Sequence, residues 1–264
     1  MEPLQNQKNI YYTLRFASAM CFIGHGAFGI IGKKIWLNYF AVFGVNHALG
    51  TQLMPILGLF DILLGISILI YPTRAILGWL VMWGTMTALC RPLSGEPFAE
   101  FIERAGNYGA PLTLLLLCGF GGGKLSNWFK IIHPNTSANA QTFANVATCL
   151  RVVVFLLLVG HGWLNLIEKK GLMDQYKGLG FTDPAGVARI AGIFELAAAA
   201  IVLTKPLRPV LIVFLVWKMG TELFYPHWEI FEWVERGGSY GCILALWFVL
   251  PQTKMVTQQK SFAT

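Results

Sequence analysis

The stretch Arg151-Val-Val-Val-Phe-Leu-Leu-Leu-Val-Gly160-His161-Gly162 places one histidine in a run otherwise apolar enough to cross a membrane. The same arrangement stands earlier as Arg15 … Gly24-His25-Gly26, and in both copies the arginine precedes the histidine by ten residues. Ten helical residues rise roughly 15 Å, about half of a hydrocarbon core roughly 30 Å thick. With Arg15 and Arg151 as membrane-edge anchors, His25 and His161 come near the midplane. A polar ring at that depth is costly, and function is the default hypothesis for it.

The rest of the chain fits that reading. It has 264 residues, 55% hydrophobic and only 12% charged, with a mean hydropathy of +0.58. This is the composition of an integral membrane protein, with lipid as its surroundings. The net charge of +7 is spread thinly, with no basic tract longer than two residues, so no nucleic-acid partner is expected. The five cysteines (Cys21, Cys90, Cys118, Cys149, Cys242) form no CxxC pair and lie in or at the end of apolar runs. Neither a disulfide framework nor a cysteine metal site is expected from them. The polar stretch 1–13 lacks the pattern of a cleaved signal peptide, so the first span is expected to stay in the protein.

Uncharged or nearly uncharged runs fall at about 14–31, 51–71, 73–90, 106–122, 147–167, 187–204, 207–225 and 237–251. The expected fold is therefore all-α, with eight transmembrane helices, because such continuous apolarity is not that of barrel strands. The second half repeats the first. Arg15, His25 and Lys33-Lys34 match Arg151, His161 and Lys169-Lys170 at an offset of 136 residues. Gly58-Leu-Phe60-Asp61 matches Gly192-Ile-Phe194-Glu195 at 134, as do Pro72-Thr-Arg74 with Pro206-Leu-Arg208, Trp83 with Trp217, Thr87 with Thr221 and Pro92 with Pro226. Glu103-Arg104-Ala-Gly-Asn-Tyr108-Gly109 matches Glu235-Arg236-Gly-Gly-Ser-Tyr240-Gly241 at 132. Two four-helix bundles are expected, over 1–122 and 147–251, with a linker at 123–146 and a polar tail at 252–264. Four spans per repeat would make both halves point the same way, about a pseudo-twofold along the membrane normal.

With the N-terminus inside, ten basic residues fall on the inner side and nine on the other, a small bias toward cytoplasmic termini in a plasma or inner membrane. Nine acids fall on the outer side and only Glu2 inside, which points to an acidic outer face able to hold a protein partner. The amphipathic stretches 35–50 and 171–187 read either as short interfacial helices or as loops packed on the bundle. Trp128, Trp228 and Trp233, near span ends, suit an aromatic belt.

Asp61 and Glu195 are the intramembrane acids. Small residues stand three before and four after each, which turns that face into the bundle. Each acid lies thirteen residues before Arg74 or Arg208, roughly 20 Å from the inner edge. His25–Asp61 and His161–Glu195 pairs are therefore expected. They read as structural clamps, as a proton relay or ligand site, or as the imidazoles of a haem. Two histidines at matched depth are the minimum that haem requires, and nothing further supports it, so no metal is expected.

The halves then differ. Lys218 and Glu222 stand where the first half has Gly84 and Ala88. Either Lys218 snorkels while Glu222 reaches the outer interface, or His161, Glu195, Lys218 and Glu222 form one charged site. On the second reading the ligand site lies in the second half, and His25 and Asp61 belong to a scaffold. Glu103 and Glu235 read as acids at the entry of a helix.

Arg151 … Gly160-His161-Gly162, Phe194-Glu195 followed by small residues, Pro206-Leu-Arg208 and Gly238-Ser-Tyr240-Gly241 together resemble the DoxX family. Its members are four-helix membrane proteins with an Arg and a His-Gly in the first helix, and the chain looks like a tandem fusion of two. Asp61 replaces the family's glutamate in the first half, and Lys218 and Glu222 are additions. The resemblance implies quinone-linked redox chemistry, because DoxX- and DoxD-type proteins include membrane subunits of thiosulfate:quinone oxidoreductase. Other members associate with superoxide-detoxifying enzymes. Distant relatives are an ER cargo receptor and a receptor chaperone, so a non-enzymatic scaffold is the alternative. A small-solute or proton carrier is the third reading. The family supplies no catalytic residue to carry over, and quinone is the cofactor it implies.

Overall fold

The computed structural model describes residues 2–134, 138–223 and 229–250. Tyr225, Pro226, Trp228, Lys254, Lys260 and the tail at 252–264 lie outside them. The first half comprises α1 (Glu2–Ile31), α2 (Trp36–Val42), α3 (His47–Ile70), α4 (Arg74–Leu93), α5 (Ala99–Glu103) and α6 (Ala105–Cys118). A short 3-10 turn, Leu125–Trp128, leads to the second half. There follow α7 (Ala140–Leu166), α8 (Lys170–Gly178), α9 (Pro184–Thr204), α10 (Arg208–Leu223), α11 (Ile230–Glu235) and α12 (Gly237–Val249). No strand occurs among the described residues, and Thr73 and Ile131 form one isolated bridge.

Local chemistry sets the helix starts. Asn46, Thr73, Asn139 and Asp183 each accept a backbone N–H from three residues on, closing the first turns of α3, α4, α7 and α9. Pro72 and Pro206 then separate consecutive apolar helices, since a helix rarely continues through the residue before proline. Two boundaries differ from expectation. The first helix starts at Glu2, because its polar leader is rich in ordinary helix formers. The linker ends early, because the Asn139 cap starts α7 within the expected 123–146 segment.

Each apolar run lies on a helix, and among the described residues five helices are long and apolar enough to cross a membrane: α1, α3, α4, α7 and α9. The 14-residue α6 rises only about 21 Å. Outward faces are apolar, as Ile56, Leu59, Leu63 and Ile70 of α3 and Ile190 and Ile193 of α9 show. A soluble protein seldom carries so continuous an exposed apolar surface, and lipid is the medium that suits it.

The halves do not form separate bundles. One hydrophobic core draws Leu14 and Phe22 from α1, Leu114 from α6, Leu150 and Leu157 from α7, and Leu246 from α12. α6 and α12 pack on each other and on both α1 and α7, with α3 against α1, α9 against α7, α4 against α6 and α10 against α12. The short helices are exchanged: α5 of the first half packs on α7, and α11 of the second packs on α1. The amphipathic stretches became α2 and α8, laid against α3 and α9 with Trp36, Leu172 and Tyr176 turned inward.

The candidate site: two histidine–carboxylate pairs, one cavity

The glycines beside each histidine explain the Gly-His-Gly pattern. A Cβ on Gly24 would lie 2.3 Å from the backbone nitrogen of Glu235, and one on Gly160 would lie 2.3 Å from that of Glu103. A Cβ on Gly26 would lie 2.4 Å from the Gly58 carbonyl oxygen, and one on Gly162 would lie 3.0 Å from that of Gly192. The first glycine therefore admits the exchanged short helix of the other half, and the second admits the acid-bearing helix of its own half. The histidine between them is clamped from both sides.

Both expected pairs form. His25 Nδ1 lies 2.8 Å from Asp61 Oδ2, and His161 Nδ1 lies 2.5 Å from Glu195 Oε2. Both carboxylates are fully buried, with Gly58 and Gly65 on the face of Asp61 and Gly192 and Ala199 on that of Glu195.

The pairs differ in what surrounds them. Glu195 uses its second oxygen to accept the Trp217 indole N–H at 3.3 Å. One turn beyond His161, Asn165 donates to the His161 carbonyl at 3.0 Å and accepts from the Tyr176 hydroxyl at 2.6 Å. In the first half, Asp61 Oδ1 and the equivalent indole N–H of Trp83 are both buried without a hydrogen-bond partner. Trp36 of α2 lies against His25, its ring centre 4.5 Å away and its plane tilted by 31°.

The two arginine anchors also part company. Arg15 donates Nε to Ile68 O at 2.8 Å and Nη2 to Leu69 O, capping the end of α3, where carbonyls lack helical partners. Arg151 leaves its Nε buried without a partner.

Lys218 and Glu222 are buried and paired at 2.5 Å, so Lys218 does not snorkel and Glu222 does not reach an interface. Of the four charged residues, His161 pairs with Glu195 and Lys218 with Glu222, and His161 and Glu222 line one small hollow. Glu222 also pairs with Arg236, which crosses to Glu103, which pairs with Arg104. Arg104 pairs with Glu100, which also holds Arg91 and Lys169. An alternating chain of ions thus runs from α4 to α10 through both halves. Lys169–Glu100 has its counterpart in Lys33–Glu232, so each half's lysine pairs with the other half's short helix.

This network revises the expected acidic outer face. Four of its nine acids, Glu100, Glu103, Glu232 and Glu235, are buried. Glu103 and Glu235 end the short helices α5 and α11 and stand just before the first turns of α6 and α12, the helix entries expected of them. Burial opposes the charge on Glu103, but Arg236 and Arg104 outweigh it and hold the carboxyl well below its ordinary range. Glu100 is also lowered, since Arg104, Lys169 and Arg91 together overcome its burial. Sequence reasoning missed this network, although the duplicated Glu-Arg pairs at 103–104 and 235–236 marked it.

The room beside the two histidine–carboxylate pairs differs between the halves, and away from both pairs a groove of about 520 Å³ runs between α1, α10 and α12 past Phe16, Leu215 and Phe248. A cavity of about 270 Å³ is lined by His25, Asp61, Trp83 and the aromatic residues of α2. The corresponding hollow beside His161 and Glu222 measures only about 30 Å³, the room of roughly one water. Ala88 lines the larger cavity where the second half has Glu222, so the added charge fills rather than creates the site. Among the described residues no group of three or more His, Cys, Asp or Glu is arranged to hold a metal ion.

Fold and site together describe an all-helical protein of integral-membrane type, with paired imidazoles and carboxylates inside its apolar helices. No family model, curated protein or solved structure matches the chain. The likeness to DoxX proteins thus rests on the motifs themselves.

Proposed function

We propose that this is a DoxX-like integral membrane protein, a subunit associated with quinone-linked redox chemistry, which binds a small apolar molecule in the cavity beside His25 and Asp61. In this reading it has eight spans in two four-helix repeats, related by a pseudo-twofold along the membrane normal, with cytoplasmic termini in the cell membrane. Equivalent contacts support the duplication: Gly24 meets Glu235 as Gly160 meets Glu103, and Gly241 meets Ala17 as Gly109 meets Val153. The observation that carries the ligand reading is the cavity, apolar for most of its wall, with the His25–Asp61 pair, Arg91, Arg104, Asn107 and Glu235 among its polar lining. The pair offers a place to hold or pass a proton beside a bound molecule.

Mass spectrometry of lipid-soluble molecules co-purifying with the full chain tests the reading. A quinone-class molecule retained by the native protein and lost in Met86→Trp supports it. Recovery of a stoichiometric protein partner with no such molecule favours the scaffold alternative instead.

One observation favours the carrier reading as a second choice. The apolar helices α6 and α12 are each preceded by a break, at Arg104 and Arg236, and charged side chains cluster at both breaks. Broken helices with ions at the seam occur in carriers. Proton flux into liposomes bearing the protein, read with an internal pH dye, tests it.

A further inference from the structure

The duplicated chain supplies its own comparison for the chemistry of the cavity. In the second half the indole N–H of Trp217 satisfies the free oxygen of Glu195, and the neighbouring hollow is almost filled. In the first half the acid is one methylene shorter, and the matching bond is not made. Asp61 Oδ1 and Trp83 Nε1 are left buried and unpartnered, and both residues line the same cavity. Asp61 is fully buried, so bulk water does not relieve it. An unmet acceptor or donor in such a place costs on the order of 1–3 kcal/mol each. A site that carries both is specified for a ligand able to answer both.

We infer that the cavity takes an apolar molecule bearing a hydroxyl group, a phenol or hydrophobic alcohol, whose O–H donates to Asp61 and whose oxygen accepts from Trp83. The inference rests on the cavity being the ligand site and adds the chemical class of the occupant. With Nδ1–H of His25 donating to Oδ2, the remaining oxygen of Asp61 is an acceptor only, so it requires a donor. Trp83 is a donor only, so it requires an acceptor. A hydroxyl is the smallest group that is both. An ether or carbonyl, an oxidised quinone included, meets Trp83 and leaves Asp61 unmet, whereas the reduced quinol meets both and a hydrocarbon meets neither. The aromatic wall formed by Trp36, Tyr39, Phe40 and Phe43 suits a flat ring.

The test is calorimetric titration of the full chain in nanodiscs, with empty nanodiscs as the blank for partitioning. Three probes are used: 2-naphthol, 2-methoxynaphthalene and naphthalene. The native protein should bind 2-naphthol about tenfold more tightly than the methyl ether, the effect of a hydrogen bond to a charged group. Asp61→Asn should shrink that preference severalfold, because an amide donates to the ether as well as accepting from the alcohol. Trp83→Phe should weaken both oxygen-bearing probes relative to naphthalene. Trp217→Phe, in the second half, should change none of these ratios.

Equal binding of alcohol and ether, or a preference untouched by Asp61→Asn, overturns the hydroxyl assignment. If all three probes then still bind and are displaced by Met86→Trp or Ala88→Leu, the cavity reading survives without it. If the filling variants change nothing, or no probe binds, both fall together.

Discussion

Arg236 reaches Glu103 across the two halves of the chain, its Nη1 2.5 Å from Oε1. Glu103 in turn lies with its backbone against Gly160, one residue before His161. The charged network and the histidine clamp are thus one construction, and each half of the chain depends on the other for it.

The flanking glycines should tolerate nothing larger. Gly24→Ala and Gly160→Ala each force a backbone 2.3 Å away to move, at an expected cost of about 1–3 kcal/mol. Gly220→Ala, in α10 with open space at its Cβ, should instead be neutral or stabilising by up to about 1 kcal/mol. Thermal midpoints of the three variants in detergent check the ordering.

Acid should weaken the fold through Glu100 and Glu103. Both carboxyls are held below their ordinary value of 4.5. A depressed folded-state pKa contributes stability that is present above the unfolded value and lost as pH falls through the folded one. The thermal midpoint should therefore decline as pH falls below about 4.5, and Glu103→Gln should flatten that decline. A pH series of unfolding curves for both proteins measures it.

The two arginine anchors should not be equivalent. Arg15→Gln removes charged bonds to the end of α3, which are worth about 1.5–3 kcal/mol. Arg151→Gln removes a group whose Nε is unpartnered and should cost less. Side-by-side denaturation of the two variants decides.

The two tryptophans should differ in the opposite sense. Trp217→Phe strips a donor from buried Glu195 and should cost about 1–3 kcal/mol. Trp83→Phe relieves a buried N–H that has no partner, a gain of about 1–3 kcal/mol that offsets the packing lost with the smaller ring, so without ligand it should be near neutral. The same melting assay in ligand-free detergent reads both.

The histidine–carboxylate pairs were legible in the sequence because two simple rules converge on them. Helical rise set the depth, and small residues around Asp61 and Glu195 set the facing. The eight helical runs were legible because apolar composition reports burial or lipid directly. The exchange of α5 and α11 was not, since a five- or six-residue helix leaves no periodicity to read. The acids of 100–103 and 232–235 were assigned to a surface because a charge in sequence does not disclose its partner; Lys33, Lys169 and Arg236 stand far along the chain from Glu232, Glu100 and Glu103, with which they pair. Lys218 and Glu222 drew the expected ligand site to the half whose histidine has the smaller hollow beside it, for a related reason. Extra polar side chains can fill a cavity as readily as equip one, and only packing tells which.

The central claim is that a ligand sits beside His25 and Asp61 rather than beside His161 and Glu195. Photolabelling tests it most directly. The full chain in nanodiscs is irradiated with a phenol carrying a trifluoromethyl diazirine, and the labelled residues are mapped by mass spectrometry. Saturable labelling of Trp36, Phe40 and Met86, competed by 2-naphthol, is the predicted result; labelling centred on Tyr176 and Trp217, or spread without competition over the exposed faces of α3 and α9, would contradict it.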